Sequence, residues 1–193
     1  MKSAARLFLS LALIALFVAF SADAAPRLVP KTIAESKPGL YKVEVTVVQY
    51  ATPTAAQARI NAVLMKEARD SVSEFVKAAK SDNASRRTEW TLDLETQVIY
   101  QSDRWLSIQV MGGEFTGGAH PNPSAASHLF DVTNGRELKL SQLFRQGAPY
   151  LESLADKCRR ELAKNEDLTA DKKWMLQGSA PKPENYSVFS IDG

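Results

Sequence analysis

The period of the apolar residues changes twice along this chain, and these changes restrict the folds that it can adopt. Apolar and polar residues alternate from Tyr41 to Tyr50, which predicts a strand with one buried face. Over residues 53–80 apolar residues recur every three or four positions, which predicts a long helix with an apolar side. Alternation returns at Trp90. A strand, a long helix and then more strands predict an α+β fold.

The second half of the chain carries signals for antiparallel pairing. Four further segments alternate in the manner of strands: residues 90–100, 105–115, 126–132 and 136–140. Asn134-Gly135 lies between the last two and favours a two-residue type I′ hairpin turn, in which both positions take positive φ. A second, shorter helix is predicted over residues 149–164. Because hairpins outnumber βα units, we expect a mainly antiparallel sheet.

The C-terminal residues predict a hairpin that is incomplete. Residues 185–191 have the composition of a strand, and Asp192-Gly193 is a typical hairpin turn pair. No second strand follows this pair. The sequence therefore predicts a truncated C-terminal hairpin.

The first 24 residues have the three zones of a secretory signal peptide. Lys2 and Arg6 form a basic start, an apolar run of 14 residues follows over 7–20, and Ala22-Asp23-Ala24 provides a small-x-small cleavage pattern. The run is too short to span a bilayer easily. We therefore expect cleavage after Ala24, no membrane anchor afterwards, and a periplasmic or secreted protein.

The charge of the remaining chain excludes one class of partner. Without residues 1–24 the chain keeps 22 of its 24 basic and 21 of its 22 acidic residues, a net charge of +1. This balance argues against nucleic-acid binding. The remaining 169 residues suit a strand–helix–hairpin module over 25–111 followed by a second module over 112–193.

A bent loop is the most unusual part of the second module. Five residues in it are candidates for binding a ligand or partner: Gly117, Gly118, His120, Pro121 and Asn122. Adjacent glycines allow positive φ, and a proline keeps its neighbour out of a helix. The loop either contacts a partner directly or is a rigid structural bend whose polar side chains bind the backbone. His120 and His128 provide too few ligands for zinc, so we expect no metal and no cofactor.

No catalytic motif is present in the sequence. It contains neither a G-x-S-x-G nucleophile elbow nor a phosphate-binding loop. Glu114 and His120 form the one acid–base pair that would support an enzyme. Closeness in sequence does not show that their side chains have the spatial geometry of a catalytic pair. We therefore predict a protein that is not an enzyme, with an envelope hydrolase using Glu114 and His120, or a decayed structural fragment, as the alternatives.

Three acidic residues form a second candidate for partner binding. Glu89, Asp93 and Glu95 are two or four positions apart, so they share the polar face of one predicted strand. Such a stripe either docks a basic protein or keeps the sheet face hydrated.

Two motifs at a fixed distance resemble a known family. Phe115-Thr116-Gly117-Gly118-Ala119-His120-Pro121-Asn122 is followed by Phe130-Asp131-x-x-Asn134-Gly135-x-x-Leu138-x-Leu140-x-x-Leu143-Phe144. Together with the upstream strand–helix–strands at 41–111, these residues resemble the RsiV/PdaC-type envelope domain.

This resemblance implies a non-catalytic binding module outside the cytoplasm. Relatives include the extracellular part of a lysozyme-sensing anti-sigma factor and a non-catalytic region of a peptidoglycan deacetylase. Lysozyme-like proteins and peptidoglycan glycans are accordingly the two partners that we expect, and the sequence does not rank them.

Overall fold

The computed structural model describes residues 26–81, 88–165 and 172–192, so the predicted signal peptide lies outside the described residues. Within them, one sheet has six strands in sequence order: Leu28–Lys37 (β1), Tyr41–Tyr50 (β2), Trp90–Gln101 (β3), Trp105–Phe115 (β4), Asn122–Asp131 (β5) and Arg136–Glu137 (β6). The helices are Ala55–Ser81 (α1), Tyr150–Leu162 (α2) and Lys172–Gly178 (α3). None of these helices is both long enough and apolar enough to cross a membrane.

The predicted α+β fold with a mainly antiparallel sheet is confirmed. Neighbouring strands are antiparallel except β2 and β3, which are parallel from Tyr41↔Trp90 to Thr46↔Glu95. The long helix α1 connects this parallel pair, because parallel neighbours need a crossover. Thr54 and Gln57 start α1 with reciprocal hydrogen bonds between the side chain of each and the backbone N–H of the other.

The core lies between α1 and one face of the sheet. One cluster joins Val72 and Phe75 of α1 to the buried face of β2 and to Leu92. A second cluster joins Ile60 and Leu64 to residues of β4 and β5. The C-terminal half of α1 therefore packs in the first cluster and its N-terminal half packs in the second.

Strand β1 was not predicted from the sequence. Because it contains prolines at positions 26, 30 and 38, this part of the sequence suggests a segment without regular secondary structure. Pro30 is nevertheless compatible with β1, because β1 is an edge strand and a proline there need not donate a hydrogen bond to a neighbour.

The predicted second hairpin is present, but its strands and turn differ from the prediction. Strand β5 begins at Asn122 instead of residue 126, and β6 ends at Glu137 instead of residue 140. Residues 132–135 connect the strands, and only Gly135 of these has positive φ, so the turn is not a two-residue type I′ turn. Asp131 accounts for the longer turn, since its carboxylate accepts hydrogen bonds from Thr133 N–H at 3.0 Å and from the Asn134 amide at 3.1 Å.

The predicted C-terminal strand is wrong. Residues 183–186 form a 3-10 turn, and residues 187–192 have no strand partner among the described residues. The backbone N–H groups of Phe189 and Ile191 instead donate to the hydroxyls of Ser127 and Ser107. The segment therefore crosses β5 and β4 on the sheet face away from α1. Gly193, the second residue of the predicted turn pair, lies outside the described residues.

Both predicted modules contribute to the same sheet. The boundary that we expected at 111/112 falls inside β4, and strands on either side of it are hydrogen-bonded neighbours.

Candidate functional site

The predicted binding loop forms the exposed end of the β4–β5 hairpin. Gly117 has φ of 92°, and a Cβ there would lie 3.2 Å from the Thr88 hydroxyl, so this position favours glycine. Gly118 does not have positive φ. The His120 ring is exposed, and its Nδ1 lies 3.1 Å from the carbonyl oxygen of Pro121. The loop is thus bent as predicted, and one of its two adjacent glycines has positive φ.

Asn122 does not belong to the loop. It is the first residue of β5 and pairs with Glu114 of β4. The sequence prediction ended the loop too late because Pro121 and Pro123 flank Asn122 and suggest an irregular segment. In the structure Glu114 and Asn122 are cross-strand neighbours that line the same cavity.

The structure divides the predicted acidic stripe. Asp93 and Glu95 are exposed on β3, on the sheet face away from α1. Glu89 lies just before β3, and its carboxylate accepts a hydrogen bond of 2.8 Å from Gly39 N–H in the β1–β2 turn. Glu44 of β2 is the register neighbour of Asp93 and adds a carboxylate to that face. The stripe and the pair Glu114–Asn122 therefore lie on opposite faces of the sheet.

A groove separates α1 from the end of the β4–β5 hairpin. It consists of two cavities of about 420 and 230 Å³, both lined by Ser71, Leu94 and Ser124. We call it the α1–hairpin groove. Its polar walls carry Glu67 and Glu74 from the helix and Glu114, Asn122, Ser124 and His128 from the sheet.

Two small residues, Gly112 and Ser124, leave space for this groove in one row of the sheet. Leu94, Gly112 and Ser124 are neighbours across β3, β4 and β5 and face α1. A Cβ at Gly112, which has φ of 149°, would lie 2.0 Å from the carbonyl oxygen of Asp93, so no side chain fits there. The sequence predicted all three strands, but not which residues become neighbours across them.

The floor of the groove is apolar and its walls are acidic. Phe75, Leu92 and Leu94 lie at the bottom of the larger cavity. No Lys or Arg is among the described residues that line either cavity. Glu74 lines the larger cavity from the helix and Glu114 lines it from the sheet, and neither carboxylate has an ion-pair partner in the described part of the chain.

His128 joins three elements at the inner end of the groove. Its side chain is only 7% exposed; Nε2 lies 3.0 Å from a Glu67 oxygen of α1 and Nδ1 lies 2.8 Å from a Glu137 oxygen of β6. Burial by itself lowers the pKa of His128, but the hydrogen bond with Glu137 and the charges of both carboxylates outweigh this, so the pKa is raised above 6.5. Burial raises the pKa of Glu67, and the charge of His128 opposes that rise.

This trio does not have the geometry of a metal site. Its ligand atoms lie within 4.8 Å of one another. The two carboxylates, however, bind opposite nitrogens of the ring, so one ion could not take both of them and the imidazole in its inner shell. A doubly protonated His128 donating to both carboxylates explains the arrangement. The sequence could not indicate it, because Glu67 and His128 are 61 positions apart.

Comparisons with known proteins place this fold near one family. Residues 35–123 match the family model described as "Deacetylase PdaC". The peptidoglycan-N-acetylmuramic acid deacetylase PdaC of Bacillus subtilis is 27% identical over 142 residues, which cover 72% of this chain and 30% of that protein. The chain thus spans less than a third of this curated relative. The match nevertheless confirms the predicted resemblance to a PdaC-type domain.

A solved structure has a similar fold. A DUF3298-family protein from Pseudomonas aeruginosa superposes with a TM-score of 0.53 at 16% identity, covering 77% of this chain and 72% of that chain. At this identity the likeness concerns the fold alone.

Proposed function

We propose, from the PdaC-type match over residues 35–123, that this chain is an exported, non-catalytic binding protein of the cell envelope. We further propose that it binds a peptidoglycan-type glycan in the α1–hairpin groove. The observation that carries the proposal is a groove with an apolar floor and carboxylates on both walls.

The chemistry of the groove suits a sugar chain. Sugar rings have apolar faces that pack on accessible apolar side chains such as Leu94 and Pro123, and hydroxyl groups that need hydrogen-bond partners. Glu74, Glu114 and Asn122 offer such partners on the two walls. The name of the Bacillus subtilis relative, a deacetylase of peptidoglycan, supports this choice of glycan.

A groove-filling variant tests the glycan proposal. Ser124→Phe introduces a large ring beside Gly112 in the groove and should abolish binding of muropeptides or glycan oligomers in calorimetry. Met111→Phe is the matched control, because Met111 is an exposed residue on the other side of the neighbouring strand. The proposal fails if the wild-type chain binds no glycan, or if Ser124→Phe binds as tightly as the control.

A second candidate partner is a basic, lysozyme-like protein. Asp93 is the register neighbour of Glu44, and like charges in that position destabilise a sheet unless a cation compensates them. The Lys42 ammonium group lies 3.7 Å from a carboxylate oxygen of Glu44. Among the described residues, it is the one ion-pair partner of Glu44, Asp93 and Glu95. Asp93→Asn with Glu95→Gln should reduce lysozyme capture in a pull-down, and Ser124→Phe should not; the reverse pattern would contradict this candidate.

The absence of catalysis remains part of the proposal. Glu114 lines the groove, whereas the His120 ring is exposed in the loop and lies against the Pro121 carbonyl. Incubation of the wild-type chain with a glycan should release no new reducing ends. Release of reducing ends that is lost in His120→Ala would support the hydrolase alternative instead.

A further inference from the structure

We propose that the α1–hairpin groove selects amino sugars with a free, cationic amino group over the corresponding N-acetylated sugars. This inference rests on the proposed glycan-binding function and adds the chemical class of the sugar.

The charge of the groove is the first reason. Glu74 and Glu114 lie on opposite walls of the larger cavity, and both lack an ion-pair partner among the described residues. Glu67 lies next to the smaller cavity, but His128 already pairs with it. The charge of His128 is likewise taken up by Glu67 and Glu137. Among the described lining residues the groove therefore has two uncompensated carboxylates and no Lys or Arg, which suits a ligand that is itself cationic.

The position of these carboxylates above an apolar floor is the second reason. Phe75 belongs to the core cluster and contacts Trp90, with ring centroids 6.1 Å apart, so core packing holds this part of the floor in place. A sugar ring lying on this floor would displace water from the walls. An ammonium group would then bind a carboxylate by a charge-assisted hydrogen bond, which is stronger than a bond from a neutral amide.

Acetylation would remove this interaction. An N-acetyl group replaces the ammonium group with a neutral amide that has one N–H donor and a carbonyl acceptor. Its carbonyl would face Glu74 or Glu114, which as carboxylates only accept hydrogen bonds. The acetylated sugar would thus lose the charge-assisted hydrogen bond, and its carbonyl could accept a hydrogen bond only from neutral donors such as Asn122 or Ser124.

Two chemically matched glycans test the inference. Glucosamine hexamer and N-acetylglucosamine hexamer are titrated separately into the full chain at low salt, and calorimetry measures each Kd. We expect the glucosamine hexamer to bind at least about tenfold more tightly. This is the difference expected when a neutral hydrogen bond is replaced by a charge-assisted one. The preference should decrease as salt is added, because the carboxylates are partly solvated.

Charge-neutralising variants locate the selectivity. Glu74→Gln and Glu114→Gln should each remove most of the preference while leaving binding of the acetylated hexamer nearly unchanged. Glu95→Gln makes the same charge change on the other face of the sheet and should keep the preference.

The outcomes separate this inference from the proposed function. Equal binding of both hexamers, or a preference that persists in Glu74→Gln and Glu114→Gln, would overturn the inference and leave glycan binding intact. Binding of the glucosamine hexamer that is unchanged in Ser124→Phe would also overturn it, because the attraction would then lie outside the groove. Binding of neither hexamer nor of muropeptides would overturn the proposed function itself.

Discussion

His128 forms two of the five side-chain ion pairs among the described residues. It connects α1 through Glu67 and β6 through Glu137, and it stacks on Phe130 with ring centroids 5.9 Å apart. A neutral imidazole has one N–H donor, so it can satisfy only one of the two carboxylates. The protonated ring has two N–H donors and satisfies both carboxylates. The folded state therefore stabilises the protonated form of His128.

The stability of the fold should therefore depend on the protonation of His128. Its pKa is raised above 6.5 by Glu137 and Glu67 against the effect of burial, so its contribution is complete below pH 6.5 and is lost as the pH rises through the folded-state pKa. Urea unfolding of the wild type should give a lower free energy at pH 8.5 than at pH 6.

Two variants control this pH prediction. His128→Gln should remove most of the difference between pH 6 and pH 8.5. His120→Gln should keep it, because His120 is exposed in the loop. Equal pH dependence in both variants would show that another group is responsible.

At the scale of elements, the β4–β5 hairpin depends on close contact between backbones. Gly112 and Gly113 are consecutive in β4, and a Cβ on either would approach a neighbouring carbonyl oxygen, of Asp93 at 2.0 Å and of Asn122 at 2.4 Å. Both neighbours are backbone atoms within ladders, so they cannot move aside easily. The glycine pair thus allows β4 to lie between β3 and β5.

Gly112→Ala should consequently destabilise the hairpin. We expect a loss of about 2–4 kcal/mol in the free energy of unfolding, because the substitution adds both a clash and strain at positive φ. Gly118→Ala is the control: its nearest contact would be 3.8 Å away and its φ is not positive, so we expect a change within about 0.5 kcal/mol. Chemical denaturation measures both, and equal losses would refute the steric argument.

For the whole molecule, α1 connects two core clusters into one structure. Its C-terminal half packs on β2 and β3 through Val72 and Phe75, and its N-terminal half packs on β4 and β5 through Ile60 and Leu64. Because the helix is continuous and contributes residues to both clusters, disruption of one cluster also weakens the packing of α1 in the other. The sheet and α1 should therefore unfold together.

This shared helix predicts a single unfolding transition for mutants of either cluster. Leu106→Ala in the second cluster should cost about 2–5 kcal/mol, and Val43→Ala in the first should cost less because it removes fewer carbons. Far-UV circular dichroism and tryptophan fluorescence should report the same midpoint for each variant. Val98→Ala, at a 40% exposed side chain, is the control with little effect. Separate midpoints for the two probes would mean that the clusters unfold independently.

The sequence by itself determined the elements that depend on local pattern. The alternation of Tyr41, Val43, Val45 and Val47 and the three-to-four-residue spacing in α1 placed β2 and the long helix correctly, because each pattern directly reflects which side of an element is buried. The loop bend at Gly117 was likewise visible, since only a glycine allows its φ there.

Only the tertiary structure decided what depends on neighbours distant in sequence. It placed Pro30 in an edge strand, made residues 187–192 bind serine hydroxyls instead of a strand, and moved Asn122 into β5. It also brought Glu74, Glu114 and His128 to one groove, although no local pattern connects them. The physical reason is that cross-strand register and helix position arise from packing of the whole sheet, and a linear sequence does not state which residues become neighbours.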